Sequence, residues 1–197
     1  MLRSVITATA GGDTVVFAKA GVWVLNSALG AVGAALVLLG LPAIYATMSG
    51  RTGRVGVMLI GLGWMFHGVF LSLYSGLVVP WLADQAPSLL AATASPPAGF
   101  IIAFIAGLVA ELTGSVLLAI PFIRGRVQPR WVGYILFASV ILTVVGDFII
   151  APTGPASNVA VNLVSNVGPV LLLVALGYLG FQTWGMRAEP SIDHSSR

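Results

Sequence analysis

Five apolar stretches, parted by short turns rich in Gly, Pro and Arg, constrain this chain more than any other feature. They cover about residues 21–48, 55–79, 99–123, 131–151 and 156–184, and the first contains no Asp, Glu, Lys, Arg or His. A helix crosses a bilayer core in about 20 apolar residues. Inside hydrocarbon a helix satisfies its own backbone hydrogen bonds. The sequence therefore predicts an all-α fold: a polytopic membrane helix bundle with about five transmembrane helices.

Composition agrees. Only 8% of residues are charged, 58% are hydrophobic, and the mean hydropathy is +1.02; soluble domains carry about 25% charged residues. There is no Cys, which excludes disulfides, thiolate metal sites and cysteine nucleophiles. The formal net charge of +3 comes from arginines spread over turns. No basic face of the kind nucleic-acid binding needs is present.

Residues 1–20 read as an extracytoplasmic segment. Asp13 or Thr14 can cap a short interfacial helix over Val15 to Ala20. Residues 4–15 contain no continuous apolar core, so a cleaved signal peptide is not expected. Pro80 is expected to end the second span, and Pro87 to open a short helix in the long connection before the third. A polar tail, 185–197, follows the fifth.

With five spans, Arg51, Arg54, Arg124, Arg126, Arg130 and Arg187 fall on one side, and only Arg3 and Lys19 on the other. The positive-inside rule then puts the N-terminus outside and the C-terminus in the cytoplasm of a bacterial-type inner membrane. Trp23 and Trp81 would mark the outer boundary; Tyr45, Trp131, Tyr134 and Trp184 the inner one. The hairpin Pro129-Arg130-Trp131-Val132-Gly133 with Ala138 to Gly146 resembles small bacterial multi-spanning proteins, and carries no functional motif. The two hairpins with basic turns share no side-chain pattern, so an inverted repeat is not expected.

Few polar residues interrupt the spans. His67 and Glu111 lie equally far from the outer ends of theirs, near the bilayer middle. Glu111 shares a face with Gly107, Gly114 and Ser115; His67 shares one with Gly63, Trp64, Leu71 and Tyr74. A direct or water-bridged His67–Glu111 contact is expected. Nearer the outer boundary lie Asn26, Asp147 (continuing the line Ser139, Thr143) and the ladder Asn158, Asn162, Asn166. Asp147 and these asparagines are expected to converge, since none can be left unpaired in lipid.

Three roles fit such residues: hydrogen bonds that lock helices, a ligand or proton site, or catalysis. Known enzyme patterns do not fit. Val144-Val145-Gly146-Asp147 lacks the first glycine and the second aspartate of an intramembrane aspartyl protease. Ser115 has no serine-protease context. Bis-histidine haem needs a second membrane histidine, and His194 is in the tail. A metal shared by His67, Glu111 and Asp147 would join different depths, and no span holds a lysine for a Schiff base. No cofactor is indicated.

The function expected is binding or passage of a small or amphipathic ligand through an outward-facing polar interior lined by His67, Glu111, Asp147, Asn158, Asn162, Asn166, Asn26 and Tyr74. One alternative is an accessory subunit or homo-oligomer docked through glycines such as Gly33, Gly61, Gly63, Gly68 and Gly107. The other is an intramembrane enzyme using Glu111 and His67 as acid and base. Besides the lipid bilayer, a membrane-protein partner or a second copy is possible; nucleic acid is not expected.

Overall fold

The computed structural model describes residues 21–48, 50–90, 98–127, 129–150 and 166–188. All of its regular structure is helical. Helix α1 is Gly21–Thr47. Helix α2 is one rod, Arg51–Gln85. Helix α3 is Ala98–Ile123. Helix α4 is Arg130–Val144, prolonged as a π-helical segment over Val145–Ile150. Helix α5 is Val167–Ala188. Three of these hold stretches long and apolar enough to cross a membrane: Trp23–Thr47, Arg51–Gln85 and Ile101–Ile123. The apolar parts of α4 and α5 are shorter, Arg130–Val144 and Val167–Thr183. The connection after α2 holds a 3-10 turn, Pro87–Leu90, where a short helix was expected. The expected lead-in helix over 15–20 lies outside the described residues.

Each helix packs on its neighbours in sequence, and α5 closes on α1. Neighbours run antiparallel. On α1 and α2, Ser27 faces Gly76, Gly30 faces Ser72, and Ala34 faces Gly68. The tightest seam joins α2 to α3. A Cβ on Gly56 would stand 2.6 Å from the Leu118 nitrogen, and one on Gly63 2.7 Å from the Glu111 Cβ. From the other side, a Cβ on Gly114 would stand 2.7 Å from the Ile60 nitrogen, and one on Gly107 2.9 Å from the Phe66 Cβ. Real Cβ atoms do not sit so close. Two glycines a heptad apart on each helix therefore let two backbones touch, which is how helices associate where lipid removes the hydrophobic drive.

The second rod departs from expectation. Pro80 does not end it: the helix continues to Gln85. A proline inside an α-helix clashes with the carbonyl four residues back. Here the turn before it, Tyr74–Val78, is π-helical, and the Val79 N–H donates to the Tyr74 oxygen five residues back. That wider turn moves the carbonyls and admits the ring. In the same register the Ser75 carbonyl would accept from residue 80, which has no N–H. Trp23 Nε1 supplies the hydrogen instead, at 2.7 Å. Trp23, expected as a boundary anchor, is thus buried (4% exposed) and clasps α1 to α2. Trp81 is exposed, as a boundary residue would be.

The apolar core sits in the half of the bundle nearer the arginine turns. Leu41, Ile44, Ile60, Leu118, Phe122 and Leu136 are among its members. Toward the other end packing loosens: no residue of α2 between Trp64 and Val78 is fully buried.

Candidate functional site

His67 and Glu111 meet where the packed half gives way to the looser one. The Gly63–Gly107 approach brings α2 against α3 at this level. Glu111 follows on the same face of α3, and His67 follows on α2. His67 Nδ1 lies 3.1 Å from Glu111 Oε2, as the matched depths predicted. The two side chains are not equivalent. That of Glu111 is 9% exposed and that of His67 28%. The carboxylate is the buried anchor and the imidazole the accessible head. Phe104 on α3 stands edge-on to the imidazole, with ring centroids 5.2 Å apart.

His67 lies within a π-helical segment, Trp64–Phe70. Such segments add a residue to a turn and are frequent at functional sites. Below it the seam at Gly63 fixes α2 to α3; above it Gly68, Gly76 and the Trp23–Ser75 bond fix α2 to α1. The wide turn takes up the register between these two attachments, and His67 sits on it. Trp64, one turn below His67, has a buried Nε1 with no hydrogen-bond partner among the described residues. Its ring packs on the apolar core and fills the space that a side chain at Gly68 would need.

A Glu···Nδ1 contact fixes the imidazole's orientation and leaves Nε2 as the edge able to meet a ligand or a proton. Which nitrogen carries hydrogen follows from that partner. Among the described residues no group of three His, Cys, Asp or Glu is placed to hold a metal ion.

The other expected residues are placed in part. Tyr74 is half-buried and has an interaction of its own. The face counted from Gly63 through His67 to Tyr74 assumed α-helical spacing, which the π turns break. Asn26 is half-buried on α1. Asn166 is exposed just before α5, and its carbonyl accepts from the Val170 N–H at 3.1 Å. Asn158, Asn162 and the side chain of Asp147 lie outside the described residues, and with them the expected convergence. The backbone of Asp147 is in the π segment of α4. Ser139 and Thr143, expected to share its polar line, are buried against Gly168 of α5, and the Ser139 hydroxyl donates to the Leu136 carbonyl at 2.7 Å. They serve packing. Ser115 likewise donates to the Glu111 carbonyl at 2.8 Å.

Sequence reasoning missed Phe104 and Trp23. Phe104 lies seven residues before Glu111 on α3, a spacing that puts both on one face. Trp23 could have been found by asking which donor serves the carbonyl orphaned by Pro80. In comparisons with family models, curated proteins and solved structures, the chain shows no match.

Proposed function

We propose that this chain is a five-span inner-membrane protein, N-terminus outside and C-terminus cytoplasmic, that binds or passes a small or amphipathic ligand. Its polar interior opens toward the outer face, and His67 is the deepest group available to the ligand. The observation that carries this reading is the asymmetric pair: His67 Nδ1 on Glu111 Oε2 at 3.1 Å, with the histidine the more exposed partner. The pair stands at the edge of the loosely packed half and leaves one nitrogen edge of its imidazole unspent.

The test is chemical access. With His194 replaced by Gln, His67 is the one histidine of the chain. A water-soluble acylating reagent added outside sealed, right-side-out vesicles should modify His67 in the folded protein, and modify it faster after Phe104→Ala. An unreactive His67 in both proteins means a dry contact, and the proposal fails.

A second reading, a homo-oligomer or accessory subunit, keeps Gly33 alone of the glycines first considered and adds others. Gly63, Gly68 and Gly107 are spent on contacts inside the bundle. Gly33, Gly40, Gly177 and Gly180 have no atom within 4 Å of where a Cβ would stand.

A further inference from the structure

We infer that the arginine-bearing end of the bundle binds the phosphate of an anionic phospholipid; the inference rests on the membrane-spanning reading, but not on any role for His67. Two turns meet at this end. One precedes α2, with Gly50 extended at its start. The other closes α3: the Gly125 N–H bonds the Phe122 oxygen and the Arg126 N–H the Pro121 oxygen, both at 2.9 Å, with Gly125 at φ +68°. That is a Schellman ending, which needs a glycine. The first turn of α2 meets the last turn of α3, since a Cβ on Gly53 would lie 3.4 Å from Pro121 Cγ. Arg51, Arg54, Arg124, Arg126 and Arg130 are thereby gathered around one contact, and all are exposed.

A charge bias alone requires arginines in these turns but does not fix their side chains. Here Arg54 is fixed, by backbone rather than by an acid, and Arg130 packs over a glycine. Arg54 Nε donates to the Met48 oxygen at 2.9 Å, and its guanidinium lies 5.5 Å from the centre of the Tyr45 ring. The Arg130 guanidinium lies over Gly125, where a Cβ would come within 2.7 Å of Nη2. Among the described residues none of the five pairs with a carboxylate. Most of their N–H donors are therefore free for an anion, and a guanidinium fork matches phosphate oxygens.

The source of the phosphate follows from what lies beside the arginines. Below Arg51 and Arg54, on the same face of α2, Val55, Met58 and Leu62 are exposed. Beside Arg130, Trp131 is exposed at the depth where aromatic side chains mark a membrane surface. Guanidinium above bare apolar helix matches a headgroup with acyl chains, and a soluble anion would leave that helix uncovered.

The full chain in zwitterionic detergent, titrated with phosphatidylglycerol, phosphatidylcholine or inorganic phosphate, tests this. Bound lipid is counted by native mass spectrometry and stability is read as melting temperature. Phosphatidylglycerol should be retained in preference to phosphatidylcholine and should raise the melting temperature, and inorganic phosphate should do neither. Arg51, Arg124 and Arg126 make no side-chain bond among the described residues, so replacing them with Gln leaves the turns intact. Each replacement should cut the preference by about fivefold. Equal retention of the two lipids, a preference unchanged in the triple variant, or stabilisation by inorganic phosphate alone would each overturn the inference. A chain that stays in solution without detergent and binds no vesicle sinks the membrane reading as well; an integrated chain with no lipid preference sinks this inference alone.

Discussion

Glu111 is 7% exposed at the middle of α3, and the hydrogen-bond partner the structure gives its carboxylate is His67. Removing one member of such a pair leaves the other buried without a partner, which costs about 1–3 kcal/mol, and more if it keeps a charge. Removing both with apolar residues of similar size can cost little. His67→Leu and Glu111→Leu should therefore each destabilise the chain in detergent, His67→Leu the more because the survivor it leaves is the more buried carboxylate, and the double variant should recover most of the loss. The measurement is melting temperature for the three variants and the parent; losses that simply add would mean that the two residues are not coupled. The same set separates structure from function. A double variant that melts normally but no longer binds or passes the ligand assigns the pair a functional role. Full recovery of both makes it a lock between helices.

At the scale of the helix, the second rod shows what a sequence does and does not display. The apolar stretches, the arginine turns and the depth of His67 and Glu111 are all carried by residue type and spacing, and these were legible. The ends of α1 and α3 fall within one residue of those expected, Thr47 against Met48 and Ala98 against Gly99. Pro80 misled, because a proline has two outcomes in a membrane helix and the choice is made by a partner elsewhere. The π turn before it and the Trp23 donor make continuation possible. Trp23 is more than fifty residues away in the chain, so no local pattern announces it. The same π turns invalidate any face counted at 3.6 residues per turn beyond Gly63. A rescue experiment tests this pairing of Trp23 with Pro80. Trp23→Phe keeps the ring's bulk and removes the hydrogen, leaving the Ser75 carbonyl orphaned at a cost of about 1–3 kcal/mol. Pro80→Ala restores a backbone N–H in that register. Pro80→Ala should thus recover part of the stability lost in Trp23→Phe. If the two variants destabilise independently, the Trp23 bond does not stand in for the missing proline donor.

The alternation of the whole bundle bears on sidedness. Contacts along three of the four pairs of sequence neighbours run antiparallel, Ser27 with Gly76 and Ala34 with Gly68, Gly56 with Gly114 and Gly63 with Gly107, Thr143 with Gly168 and Trp131 with Tyr178, and a tight turn joins the fourth pair, α3 and α4. Five antiparallel rods place the start of α1 and the end of α5 at opposite ends. They also place the turns at Arg51 and Arg130, and the last turn of α5 with Arg187, at one end. Asp84, at the far end of α2, belongs to the other. In the proposed orientation the arginine end lies in the cytoplasm, as the positive-inside rule favours. α4 prolongs its Arg130–Val144 stretch through the π segment to Ile150, and α5 reaches Ala188. Each thereby attains the length that about 20 helical residues give. A reporter active only in the cytoplasm, fused after Arg187, should be active. The same reporter inserted between Asp84 and Pro87 should be silent, and an export-dependent reporter there should be active. A third fusion, between Arg126 and Pro129, distinguishes five crossings from four. With α4 and α5 both crossing, the 126–129 turn and the C-terminus share the cytoplasmic side, and both fusions are active. With α4 crossing and α5 lying on the outer surface, the 126–129 fusion stays active and the C-terminal one falls silent. Activity at all three sites would place Asp84 in the cytoplasm and end the alternating model.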